Sequence, residues 1–309
     1  MKRLFIMGLI GLTGIVGGMA SAQESALPDK YAGYNTLTVF DSTGVYMEES
    51  GLSHILTHKR VKAISYRGCA MLKSVKVDYD PLSAWCDISH VLVHRAATGK
   101  TDTLVWSGRE DNAQVYDYVA PARMIYWGAS QKMVDVGHVG LHDELEVWTY
   151  KKGYTYALLA DENPGELPGL NGTFASLPED DARYVPPMKG HYYDIVPFWS
   201  NEPVRHKVYQ LNILDAKNVR YSVYNGELDI KREAADEEGR SLYTFAKSDI
   251  MPLKREPRAL ANNDIQCKLL LSTSPDWQAK SRWFYGVNED YGSFKATPAA
   301  QKKVGEILR

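Results

Sequence analysis

From Thr36 onward, apolar residues recur at every second position in short runs rich in Val, Thr, Tyr and Trp, with turn-forming residues between the runs. That period belongs to a strand with one buried face. A chain that keeps it along most of its length can bury its apolar side chains only by stacking one sheet on another. The expected fold is therefore all-β: one or two antiparallel β-sandwich modules followed by a short C-terminal helix. Residues 36–47 and 55–66 read as hairpin partners around Glu49-Ser50-Gly51. Residues 72–79 and 85–94 are joined at Asp80-Pro81, and Thr98-Gly99-Lys100 turns the chain into 103–106. Strands at 124–127, 144–150 and 154–159 follow, the last two around Lys151-Lys152-Gly153. After a break the pattern resumes at 192–199, 204–214, 219–224, 228–232, 241–245 and 265–272, with the acidic run Asp236-Glu237-Glu238-Gly239 as a solvated hairpin tip.

The break is residues 161–190, where five prolines and four glycines oppose regular structure and predict an extended connector. It divides the chain into a first β-sandwich module over 34–160 and a second β module over 191–275, with a single continuous sandwich as the alternative. Residues 276–309 form a linker and a terminal helix. Thr297 suits an N-cap, Pro298 the first helical position, and 299–308 a helix with an apolar stripe of Val304, Ile307 and Leu308. The uncovered stripe leads to the expectation of a further domain beyond it.

The first 22 residues have the form of a secretory leader: Lys2 and Arg3, an apolar stretch over 4–18, and the small-x-small sequence Ala20-Ser21-Ala22. Cleavage after Ala22 would release a chain of the periplasm or the extracellular medium. The competing reading is an uncleaved anchor, but the run is shorter than the ~20 apolar residues that span a bilayer, and it contains Gly14, Gly17 and Gly18. The remainder carries no transmembrane pattern. With 36 Lys+Arg against 38 Asp+Glu, the charge balance argues against a nucleic-acid partner held by phosphate neutralisation.

No pattern announces a catalytic site, a metal or a cofactor: HExxH, a Gly-rich phosphate loop and paired CxxC are all missing. Of the three cysteines, Cys69 and Cys86 either pair in an oxidising compartment or remain as buried thiols, leaving Cys267 over. Cys69, within Tyr66-Arg67-Gly68-Cys69-Ala70, is either the nucleophile of a cysteine hydrolase or a structural thiol in strand or turn. Three histidine pairs, His54/His58, His90/His94 and His138/His142, share a four-residue spacing. On a helix that spacing puts both rings on one face, whereas along a strand it separates the backbones by about 13 Å. His138 and His142 with Asp143 and Glu144 are either a loop-built metal site or polar loop residues. Aromatic residues are abundant, with 20 Tyr and 7 Trp. Trp199, Trp277, Trp283, Phe284 and Tyr285 are the candidate interaction residues, for a partner protein or an envelope glycan, against the alternative of core packing.

Several segments together resemble a family of unknown function found as the N-terminal β-sandwich module of exported bacterial transglutaminase-like proteins. They are Val77-Asp78-Tyr79-Asp80-Pro81 with the strand 86–94 and its Thr98-Gly99 turn, Tyr118-Val119-Ala120-Pro121-Ala122-Arg123, and Leu141-His142-Asp143-Glu144-Leu145-Glu146. They continue with Phe198-Trp199-Ser200-Asn201-Glu202-Pro203-Val204, Arg255-Glu256-Pro257, and Ser272-Thr273-Ser274-Pro275-Asp276-Trp277 before Trp283-Phe284-Tyr285. The resemblance spans 34–309. It implies that the catalytic Cys, His and Asp belong to a papain-fold domain after this module. The chain would then be a non-enzymatic accessory or binding module for a transglutaminase-like domain, in cis in relatives or in trans, docking through Trp277, Trp283, Phe284 and the terminal helix.

Overall fold

The computed structural model describes residues 28–81, 83–119, 130–154, 158–159, 184–185, 190–253, 260–290 and 298–308. The leader, the expected strand 124–127, the Thr297 cap and most of the connector 161–190 lie outside them. The fold is mostly β, built on antiparallel sheets with helix at its C-terminal end.

The strands in chain order are β1 (Thr36–Met47), β2 (Ser53–Ala63), β3 (Ser74–Tyr79), β4 (Ala84–His94), β5 (Thr101–Trp106), β6 (Val115–Val119), β7 (Ser130–Asp135), β8 (Glu144–Gly153), β9 (Leu158–Leu159), β10 (Tyr184–Val185), β11 (Tyr193–Pro197), β12 (Val204–Leu214), β13 (Arg220–Tyr224), β14 (Asp229–Ala234), β15 (Arg240–Ile250) and β16 (Lys268–Ser272). The helices are α1 (Tyr66–Met71), α2 (Asn262–Ile265), α3 (Trp277–Asp290) and α4 (Pro298–Ile307). One eight-stranded sheet runs β14-β15-β12-β1-β2-β8-β4-β5, and two three-stranded sheets run β11-β16-β13 and β3-β7-β6. Every ladder is antiparallel except β1–β12, which is parallel and carries the large sheet from residues of the first predicted stretch into those of the second.

Both small sheets pack on the same face of the large one. Ile55, Val61 and Ala63 of β2 are separated by even numbers of residues, so they share a face. Ile55 joins a core with Val45, Met47, Tyr209, Leu211, Phe245, Leu269 and Leu271, beneath β11-β16-β13. Val61 and Ala63 join a second core with Val75, Val91, Val93, Val134 and Leu145, beneath β3-β7-β6. Between the cores the same face carries Asp41, whose carboxylate lies 3.4 Å from Lys207 and 3.9 Å from Lys59.

Three local expectations are corrected. Residues 66–71 are a helix, not strand or turn: the Ser65 hydroxyl accepts from the Gly68 amide at 3.0 Å as an N-cap. Gly68 also lies so close to Asn35 that a Cβ there would stand 1.9 Å from the Asn35 carbonyl oxygen. Lys151-Lys152-Gly153 is not a turn but the end of β8, paired with Ser53–Ile55 on one side and Ala84–Cys86 on the other, because β8 is a central strand with two neighbours to satisfy. The stretch after Asp276 is the helix α3 where a linker was expected, its first turn capped by the Asp276 carboxylate accepting from the Ala279 amide at 2.6 Å. Asp80-Pro81 joins β3 to β4 but leads from one sheet into another, since these two strands pair with β7 and β8 respectively.

Candidate functional site

Among the described residues, the opposite face of β2, β8, β4 and β5 contributes no side chain to either core. Period two fixes what it presents. With Leu145 and Val147 turned inward, β8 presents Glu144, Glu146, Trp148 and Tyr150, and β2 presents His54, Leu56, His58, Arg60 and Lys62. A β-bulge at Ser89 resets β4, so that Ile88 points inward and His90 outward along with Leu92 and His94.

Register then aligns residues that are far apart in sequence. Trp106 of β5 pairs with His90, His90 with Trp148, Trp148 with His58, and His58 with Ser42 of β1. The result is a row of alternating indoles and imidazoles crossing four strands, about 14 Å from Trp106 to His58 at the usual strand spacing. The rings touch along it. His90 and Trp106 are edge to face with centroids 4.3 Å apart, and His90 and Trp148 are 5.4 Å apart. His58 lies stacked on Trp148 at 3.9 Å, and Phe40 meets His58 edge to face at 4.5 Å. Trp106, on the end strand, is 44% exposed.

A charged row flanks the rings. Glu146 accepts from His58 Nε2 at 2.7 Å with one carboxylate oxygen and from His94 Nε2 at 2.5 Å with the other, tying β2, β8 and β4 together. Arg60 donates to Glu144 at 2.5 Å, and Lys62 Nζ stands 3.6 Å from the same carboxylate. Burial works to raise the Glu146 carboxyl, but the two imidazole hydrogen bonds and the nearby Arg60 outweigh it and bring the group down to about 2. Burial holds His90 below the usual imidazole range, with His58 adding repulsion. On the far side of the ring row, His54 is held between the Tyr150 hydroxyl at 2.6 Å and Glu48 at 2.7 Å.

Chemically this is a polar aromatic surface on which Arg60 and Lys62 pair with Glu144, and His58 and His94 with Glu146. No group of three His, Cys, Asp or Glu side chains positioned to hold a metal ion exists among the described residues. Asp143, a candidate ligand in the sequence, instead accepts from Arg95, Ala96 and Gly140 and anchors the loop before β8.

The residues singled out in the sequence lie elsewhere. Trp199 follows β11 and donates its indole N–H to Asn263 of α2 at 3.1 Å. Trp277, Trp283 and Tyr285 share α3: Trp277 is 84% exposed with Lys280 Nζ 5.7 Å from its ring, Tyr285 is 57% exposed, and Trp283 is half-buried. Phe284 is on the same helix, with its side chain outside the described set. Val304, Ile307 and Leu308 are exposed along and just past α4. The three cysteines are free and buried, Cys69 in the second core and Cys267 in the first. Burial pushes the Cys86 thiol up to about 11. No described helix is long and apolar enough to cross a membrane.

The His–Trp row escaped the sequence reading because its members meet across ladders. Its one visible trace is parity: His54, His58, Arg60 and Lys62 share one parity in β2, as do Glu144, Glu146, Trp148 and Tyr150 in β8.

Comparison with known proteins gives a family and a fold. Residues 49–254 match the family model described as a domain of unknown function with solved structure, DUF3857. A crystal structure from Parabacteroides distasonis, provisionally named a protease, aligns with 79% of this chain and 41% of its own at 11% identity, with a TM-score of 0.58. An M1 zinc metallopeptidase from Deinococcus radiodurans aligns with 77% of this chain and 42% of its own at 10% identity, and its TM-score of 0.32 falls short of a shared fold. The chain thus spans about two fifths of the length of these solved structures. No curated protein matches.

Proposed function

The chain belongs to the DUF3857 family, and on that premise we propose that it is an exported, non-enzymatic binding module whose ligand face is the open side of β2-β8-β4-β5. The observation that carries this reading is the row Trp106, His90, Trp148, His58 on a face that neither core uses. An apolar-polar patch on a sheet face is a common form of recognition surface. The module serves a transglutaminase-like domain, in cis or in trans, in the periplasm or outside the cell. The exposed side chains of α3 and α4, Trp277, Tyr285, Val304 and Ile307, are its docking edge. A cysteine hydrolase reading has less support, since Cys69 is buried in the second core.

Hydrogen exchange of the full chain, alone and with isolated cell envelope, tests the ligand face. Protection gained on β2, β4 and β8 while β11, β13 and β16 are unchanged supports the reading, and uniform exchange in both samples overturns it. A photo-crosslinker at Ile307 tests the docking edge, the expected product being a papain-fold domain carrying Cys, His and Asp.

A further inference from the structure

We infer that the ligand of the open face is a neutral oligosaccharide, laid across the strands along the row from Trp106 to His58. The inference rests on the reading of that face as a binding surface and adds the class of ligand.

The charges of the face are the first guide to its ligand. The face bears Arg60, Lys62, Glu144, Glu146, His58 and His94, yet Arg60 and Lys62 share Glu144, and both imidazoles share Glu146. A polyanion or an acidic peptide needs cations that are free to pair; here Arg60 and Lys62 are both held by Glu144. Asp87, turned to the same face opposite Tyr150, carries a charge outside these pairs, and trilysine is the probe that reads it.

The mixture of surfaces points to a sugar. The centre of a protein–protein interface is depleted of charged groups and packed like a protein interior. Here ion pairs lie directly beside the rings, because Glu146 pairs across the ladders with Arg60 and Leu92, one position along from the Trp148 row. Rings alternating with hydrogen-bonding groups on one plane match a pyranose, which has C–H faces and a rim of hydroxyls that both donate and accept. The polar edges of His90 and Glu144, both only partly buried, are placed to meet that rim.

The open end of the row sets where a sugar enters. Trp106 is on the terminal strand of the sheet, meets His90 on one side, and is 44% exposed. It is the ring with surface to offer, whereas Trp148 is covered by His58 on one face. A sugar stacks first on Trp106, and the chain of sugars then follows the row past His90 toward His58.

Calorimetric titration of the full chain with chitohexaose and with cellohexaose, and with polygalacturonate and trilysine as charged probes, tests this. Binding of at least one neutral hexasaccharide is expected, weakened at least tenfold in Trp106→Ala and in His90→Gln and unchanged in Tyr224→Ala on a different sheet; circular dichroism checks that each variant is folded. No heat from either neutral probe overturns the inference, as does binding that Trp106→Ala leaves intact. A charged probe bound through Trp106 and His90 overturns the assignment of sugar and leaves the open face standing as a binding surface. A sugar whose binding depends on Trp277 and not on Trp106 overturns both.

Discussion

His58 and Trp148 lie face to face across the β2–β8 ladder, with ring centroids 3.9 Å apart and planes 14° from parallel. They are a directly opposed cross-strand pair, the geometry in which side chains on neighbouring strands interact most. A double-mutant cycle on His58→Ala and Trp148→Ala should show a coupling of about 0.5–1.5 kcal/mol in chemical denaturation, the usual worth of a ring pair beyond its buried area. Additive losses would mean that the stack contributes nothing of its own.

Glu146 predicts a specific acid sensitivity. Its carboxyl is brought from an ordinary 4.5 to about 2 against the opposing effect of burial, by the hydrogen bonds from His58 and His94 and by Arg60. A folded value below the unfolded one contributes stability that is fully present above the unfolded value and lost as pH falls through the folded one. The shift corresponds to about 3 kcal/mol. Glu146→Gln should therefore be less stable than the parent by roughly that amount near neutrality, with the two curves converging between pH 4.5 and about 2. A difference that stays constant across that range would contradict the assignment.

All three cysteines should resist iodoacetamide in the native protein near neutral pH and react in denaturant, because each is buried and the Cys86 thiol is pushed up to about 11 by burial. Mass spectrometry of the labelled chain reads this site by site. Fast native labelling at Cys69 would revive the hydrolase reading.

The two cores should unfold together. They lie under one sheet, joined through the parallel β1–β12 ladder and the Asp41 ion pairs with Lys59 and Lys207. Phe245→Ala in the first core and Ile88→Ala in the second should each cost about 2–5 kcal/mol and shift one common transition seen by near- and far-ultraviolet circular dichroism. Two separated transitions, each moved by only one substitution, would show that the cores are independent.

The strands were legible because alternation is local: the β1–β2 hairpin around Glu49-Ser50-Gly51 and the β4–β5 hairpin at Thr98-Gly99-Lys100 are set by residues adjacent in the chain. What alternation does not encode is which strand lies beside which. The parallel β1–β12 pairing joins residues more than 160 positions apart, and it decides that both small sheets cover a single face. The site depends on the same long-range order. Along β2 and β4 the four-residue histidine spacing does keep His54 from His58 and His90 from His94, as strand geometry requires, but β8 brings His58 and His94 to one carboxylate from opposite sides. Helix α1 was hidden for a different reason: at 6 residues it is less than two turns long, too short to show a 3.6-residue period, and it is marked by the Ser65 cap and the close approach of Gly68 to Asn35.

The central claim is that ligand meets this protein on the open face of β2-β8-β4-β5, and the seven tryptophans report on it. Their indole N–H resonances in the full chain can be followed by two-dimensional NMR as solubilised envelope glycan is added. The account predicts that Trp106 and Trp148 shift and that Trp199, Trp277 and Trp283 do not. Shifts confined to Trp199, Trp277 and Trp283, with Trp106 and Trp148 unmoved, would contradict it.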